Sequence, residues 1–139
     1  MTGRYVLDAC ALLALLRDEP GADVVADIIN AANNGEIDLS MHKANLLEVY
    51  YDIYRSVGKG KADEVIAEIK GRPITILSDI SDAIFEEAGR LKASYKVSFA
   101  DTFALATASV TDATLLTADH HEMDTVEQNE QGIKFHWVR

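Results

Sequence analysis

The stretch YVLDACALLALL, Tyr5 to Leu16, passes from a short apolar strand to a helix with only one acid, Asp8, at the join. Tyr5-Val6-Leu7 has the continuous apolar character of a strand buried on both faces, and Ala9 to Arg17 is rich in helix formers. Pro20-Gly21 ends that segment, and Ala22 to Ala32 places Val24, Val25, Ile28 and Ile29 on one side of a second helix. The alternation then repeats. Asn33-Asn34-Gly35 is a turn, Ile37 to Met41 a strand, and Lys43 to Val57 a long helix. A further helix spans Lys61 to Lys70, followed by a β-branched strand from Ile74 to Leu77. Ser81 to Tyr95 and Ser98 to Ser109 are helical, the latter opened by Ser98 with Asp101 three positions on. Strands at Ala113 to Leu116 and Ile133 to Val138 close the chain, with a loop expected between them. Strands alternating with helices predict an α/β fold, a three-layer α/β/α sandwich around a mostly parallel five-stranded sheet.

The chain has 139 residues, 48% of them apolar, and only two prolines, with no low-complexity stretch or internal repeat, so residues 1–139 read as one domain. The lone Cys10 cannot form an internal disulfide and reads as a small core residue, in keeping with a reducing cytoplasm. Asp8 interrupts the N-terminal apolar run, and no stretch reaches the roughly 20 apolar residues of a membrane span. The expectation is a cytoplasmic protein without a membrane segment. Its formal charge of −10 argues against nucleic-acid binding by bulk attraction and fits a carboxylate site that carries divalent cations.

In parallel α/β folds ligands bind beyond the carboxyl ends of the strands. Asp8 directly follows the first strand, and Asp119 lies just past the fourth. Glu48 and Asp101 sit on mostly apolar helices, where an unpaired carboxylate costs several kcal/mol unless a cation, a hydrogen bond or water meets it. Innocent roles exist for each: Asp8 as a helix cap, Glu48 reaching solvent, Asp101 as a first-turn acid, Asp119 in an Asx-turn. Together they point to hard oxygen ligands for Mg²⁺ or Mn²⁺ and to phosphoryl chemistry.

Taken together, Tyr5 to Leu16, Asn45-Leu46-Leu47-Glu48-Val49, Phe99-Ala100-Asp101-Thr102-Phe103-Ala104-Leu105-Ala106 and Leu115-Leu116-Thr117-Ala118-Asp119 resemble PIN-domain ribonucleases. The likeness is strongest to the VapC-type toxins of toxin–antitoxin pairs. Asp119 to Asp124 and Ile133 to Trp137 resemble one subgroup of them. The resemblance spans essentially the whole chain. It implies a PIN-like fold and an acidic pocket of Asp8, Glu48, Asp101 and Asp119 holding Mg²⁺ or Mn²⁺. Thr117 would support that pocket and Asp124 would be an accessory acid. It further implies endonucleolytic RNA cleavage by metal-activated water, a homodimer, and a VapB-like antitoxin that blocks the pocket.

The segment TADHHEMD, Thr117 to Asp124, is not a histidine zinc site. Adjacent His120 and His121 diverge on a helix or a strand, and position 125, where a His-Glu-x-x-His pattern would need its closing histidine, is Thr125. The histidines read as loop residues at the pocket rim. A phosphoacceptor receiver domain fits poorly, because Asp8 lacks an acidic neighbour and the last strand lacks a terminal lysine. The alternative carried forward is a non-catalytic PIN-like interaction module.

Overall fold

In the computed structural model, which describes residues 2–139, the strands are β1 (Arg4–Leu7), β2 (Asp38–His42), β3 (Thr75–Leu77), β4 (Thr114–Thr117) and β5 (Lys134–Trp137). They form one sheet in the order β3-β2-β1-β4-β5, and every pairing is parallel. The expectation of a mostly parallel five-stranded sheet therefore holds in full. The helices are α1 (Ala9–Leu16), α2 (Ala22–Asn33), α3 (Lys43–Val57), α4 (Lys59–Lys70), α5 (Asp82–Ser94), α6 (Phe99–Val110) and α7 (His120–Asn129). The sequence reading missed α7, leaving His120–Asn129 as a loop. Its inward face is only Met123 and Val126, too sparse a stripe to read as a helix amid polar neighbours.

The sheet separates two apolar cores. Leu7, Leu39, Met41 and Leu116 face α1 to α4, meeting Leu12, Val25, Ile28, Val49 and Ile69. Val6 and Leu115 face the other way, onto α5, α6 and α7 through Leu91, Phe103, Leu105, Met123 and Val126. Neighbours along β1 and along β4 thus point to opposite layers, as strand geometry requires.

Two features fix the carboxyl edge of the sheet. First, β1 is central, with β2 on one side and β4 on the other, so the chain's winding reverses between β1 and β4 and leaves a crevice there. Second, the end of β5 is pinned to the turn between α1 and α2. Gly21 has φ of 97°, and a Cβ at that position would lie 2.7 Å from both the Val138 side chain and its carbonyl oxygen. Arg139 adds a hydrogen bond from Nη1 to the Pro20 carbonyl at 2.9 Å.

Candidate active site

Asp8 ends β1 and starts α1. Its Oδ1 accepts from the Ala11 N–H at 2.8 Å, so the helix-cap role is real. Its Oδ2 is buried and has no hydrogen-bond partner. Burial pushes the Asp8 carboxyl up to about 7. The nearby Thr117 hydroxyl and the capping bond temper that rise, whereas the charges of Asp101 and Asp119 add to it. Thr117 does not reach Oδ2 in hydrogen-bonding geometry, so one carboxylate oxygen is left to be satisfied.

Asp119 is held at the other side of the crevice. Its N–H donates to Thr117 Oγ1 at 3.1 Å, and its Oδ1 accepts from the Glu122 N–H at 3.2 Å, capping α7. Thr117 therefore touches the backbone of one acid and neighbours the carboxyl of another. Asp101 sits in the first turn of α6, whose cap Ser98 accepts from the Asp101 N–H at 3.1 Å. Burial, with added repulsion from Glu48, Asp119 and Glu122, pushes the Asp101 carboxyl up to about 7. Burial also raises Glu48, and Asp52, Asp119 and Glu122 add to the effect.

Glu48, Asp101 and Asp119 line one cleft of about 420 Å³ together with Glu122, Ser98, Phe99, Leu47 and Tyr51. Asp8 does not line the cleft; it is buried and coupled through charge to Asp101 and Asp119. Asp124 is not among the lining residues. It turns outward, and its carboxylate meets His120 Nδ1 at 2.8 Å. Glu122, which the sequence reading did not single out, lines the cleft. Only the course of α7 reveals this, since it puts position 122 inward and position 124 outward.

Asn45 is a second residue missed by sequence reasoning. It is fully buried and donates from Nδ2 to the Ala100 carbonyl at 3.0 Å, tying α3 to the start of α6. That bond sets the helix carrying Glu48 against the helix carrying Asp101.

His120 is a structural residue. Its ring stacks on Trp137 with centroids 3.8 Å apart, and its Nε2 contacts the Arg139 carbonyl at 2.8 Å. The Arg139 carbonyl, and after it Asp124, raise its pKa. Several basic side chains are engaged within the fold. Arg4 bonds the Thr111 carbonyl at the opposite edge of the sheet, Arg17 pairs with Asp52, and Lys92 bonds the Val97 carbonyl.

The donor set is all hard oxygen. The Cys10 thiol, pushed up to about 12 by burial and by Asp8, offers no thiolate. Among the described residues no three acids, histidines or cysteines are already closed around a metal-sized point. The acids surround a cleft rather than a finished cage. The unsatisfied Asp8 Oδ2 and the upward shifts of Asp8, Asp101 and Glu48 are deficits that a hard divalent cation is suited to relieve.

The PIN domain family model matches residues 5–127. No curated protein sequence matches the chain. Solved structures with the same fold include VapBC2 from Rickettsia felis bound to a promoter DNA fragment, at 15% identity and TM-score 0.72, covering 96% of this chain and 97% of that one. VapBC-1 from nontypeable Haemophilus influenzae aligns at 16% identity and TM-score 0.71, over 97% and 98% of the two chains. VapC20 from Mycobacterium tuberculosis, described as a Sarcin-Ricin loop cleaving toxin, aligns at 13% identity and TM-score 0.66, over 93% and 98%. No helix among the described residues is long and apolar enough to cross a membrane.

Proposed function

Because the chain belongs to the PIN domain family, we propose that it is a Mg²⁺- or Mn²⁺-dependent endoribonuclease and the toxin of a VapBC-type pair. The observation that carries this reading is the cleft lined by Glu48, Asp101 and Asp119, whose charges couple to the buried Asp8 and its unpartnered Oδ2. The shared fold with VapC20, described as a Sarcin-Ricin loop cleaving toxin, supports a nuclease reading.

Asp8, Asp101, Asp119 and Glu48 would hold the cation. When bound, the cation neutralises the acids, polarises a phosphodiester and acidifies a water. The chain's own residues prepare for it. Asp8 uses Oδ1 for its cap and keeps Oδ2 in reserve, while Thr117 fixes the approach of Asp119. Asn45 holds Glu48 and Asp101 on neighbouring helices. Asp8 and Asp101 keep protons up to about pH 7 and release them to solvent as the cleft is loaded.

The proposed setting is cytoplasmic, with RNA as substrate, a homodimer as the assembly and a VapB-like antitoxin as the inhibitor. Exposed Ile80 and Phe85 offer apolar surface to a second copy. A groove of about 440 Å³ lined by Leu46, Tyr50, Ile66 and Ile76, with Lys43 and Lys70 beside them, suits an apolar antitoxin segment bearing acids.

The test is cleavage of RNA with Mg²⁺ or Mn²⁺, and its loss in EDTA. Asp8→Asn and Asp101→Asn should each abolish cleavage while circular dichroism stays unchanged. Full activity in either variant would sink the assignment. The second reading, a non-catalytic interaction module, draws on the fact that Asp8 and Asp119 already serve as helix caps. Titration calorimetry with Mn²⁺ separates the two, since a module without a metal site gives no binding heat.

A further inference from the structure

The rim of the acidic cleft is apolar and aromatic. Leu47 is 58% exposed, Tyr51 45% and Phe99 72%, and all three line the cleft beside the acids. Large exposed apolar side chains grouped at a functional opening call for a ligand.

Phe99 is braced from behind. Its ring meets Phe103 edge-on at 5.2 Å, and Phe103 stacks on His42 at 4.9 Å. His42 is itself immobilised, since its Nδ1 accepts from the Ala44 N–H and its Nε2 donates to the Asp79 carbonyl, both at 3.0 Å. The outermost ring is thus the exposed end of an aromatic row rooted in the core. On the α3 side, the Arg55 guanidinium sits 5.5 Å from the Tyr51 ring centroid.

We propose that this rim binds an unpaired RNA nucleotide by base stacking on Phe99, with Tyr51 and Arg55 forming the wall on the α3 side. The inference rests on the ribonuclease reading and deepens it by naming the side chains that hold a base beside the acids. A chain with a formal charge of −10 cannot collect RNA through its phosphates in the usual way. Stacking needs no net positive charge and accepts any base, but it requires that the base be unstacked from its own neighbours. Arg55 can contribute a local phosphate contact next to the ring. The rim and the acids share one cleft, so a base held on Phe99 brings its own phosphodiester toward Asp101 and Glu48.

The experiment measures binding of a labelled single-stranded RNA oligonucleotide by fluorescence anisotropy, in Ca²⁺, against the same sequence closed into a duplex. Phe99→Ala and Phe99→Leu should each weaken single-strand binding about tenfold. Phe99→Trp should preserve it, and Mn²⁺ binding heat should be unchanged in all three. The wild type should favour the single strand, with a shallow dependence on salt. Equal binding by wild type and Phe99→Leu overturns stacking. If Phe99→Ala instead turns a dimer into a monomer by light scattering with RNA affinity intact, the rim is a face for a second copy. Loss of this inference with Mg²⁺-dependent cleavage retained leaves the nuclease reading standing. A wild type that neither binds nor cuts any RNA overturns both.

Discussion

Asp101 meets two demands that oppose one another. Its burial near Glu48, Asp119 and Glu122 raises its carboxyl to about 7, so the charged form strains the metal-free fold. Asparagine keeps the shape and removes the charge. Asp101→Asn should therefore raise the melting temperature of metal-free protein at about pH 8 by a few degrees, on the order of 1 kcal/mol. It should lose RNA cleavage at the same time. Scanning calorimetry in EDTA checks the first effect, and a lowered melting temperature would mean that the carboxylate supports the fold. Asn45 works in the other direction. Asn45→Ala removes the bond to the Ala100 carbonyl and should cost about 1 kcal/mol. Because α3 and α6 then lose their register, Mn²⁺ affinity should fall as well. Calorimetry reads both numbers, and an unchanged affinity would confine Asn45 to stability.

Among the elements, β1 and β4 were legible because an apolar run stopped by Asp8, or followed closely by Asp119, leaves little choice about which end of the strand the acid occupies. The apolar stretches around Glu48 and Asp101 made α3 and α6 equally legible. Helix α7 was not, and the place of its acids went with it. Read as a loop, it gave no means of choosing between Glu122 and Asp124; as a helix capped by Asp119, it turns Glu122 into the cleft and Asp124 toward His120. Asn45 was illegible for a different reason, since its partner lies 55 residues away in sequence and nothing local announces it. The N-terminal end of α7 depends on His120, which joins Asp124, Trp137 and the Arg139 carbonyl. His120→Ala should lower the melting temperature of the protein. Hydrogen exchange should then quicken in α7 and β5 while α1 to α4 stay protected. Uniform acceleration across the chain would mean that α7 does not open as a separate unit.

For the molecule as a whole, the crowded acids set the pH dependence. Asp8 and Asp101 have folded pKa values of about 7, above their ordinary value of 3.8. Between those limits the folded state binds more protons than the unfolded state, so stability falls as pH rises. Metal-free protein should melt at a higher temperature near pH 5 than near pH 8, and saturating Mg²⁺ should narrow the gap by taking the place of the protons. Thermal melts at the two pH values, with and without Mg²⁺, check this; a gap indifferent to Mg²⁺ would place the ion elsewhere. The stacked pair of His120 and Trp137 offers a way to watch all of this optically. Trp137 is the sole tryptophan of the chain, and its ring lies against an imidazole whose neighbour in sequence is Asp119. A protonated imidazole quenches indole, and His120 is shifted upward by the Arg139 carbonyl and Asp124, so emission from Trp137 should rise as the pH is raised and His120 loses its proton. A fluorophore is therefore already built into the fold, stacked on the residue that follows Asp119, with no label to perturb the acids.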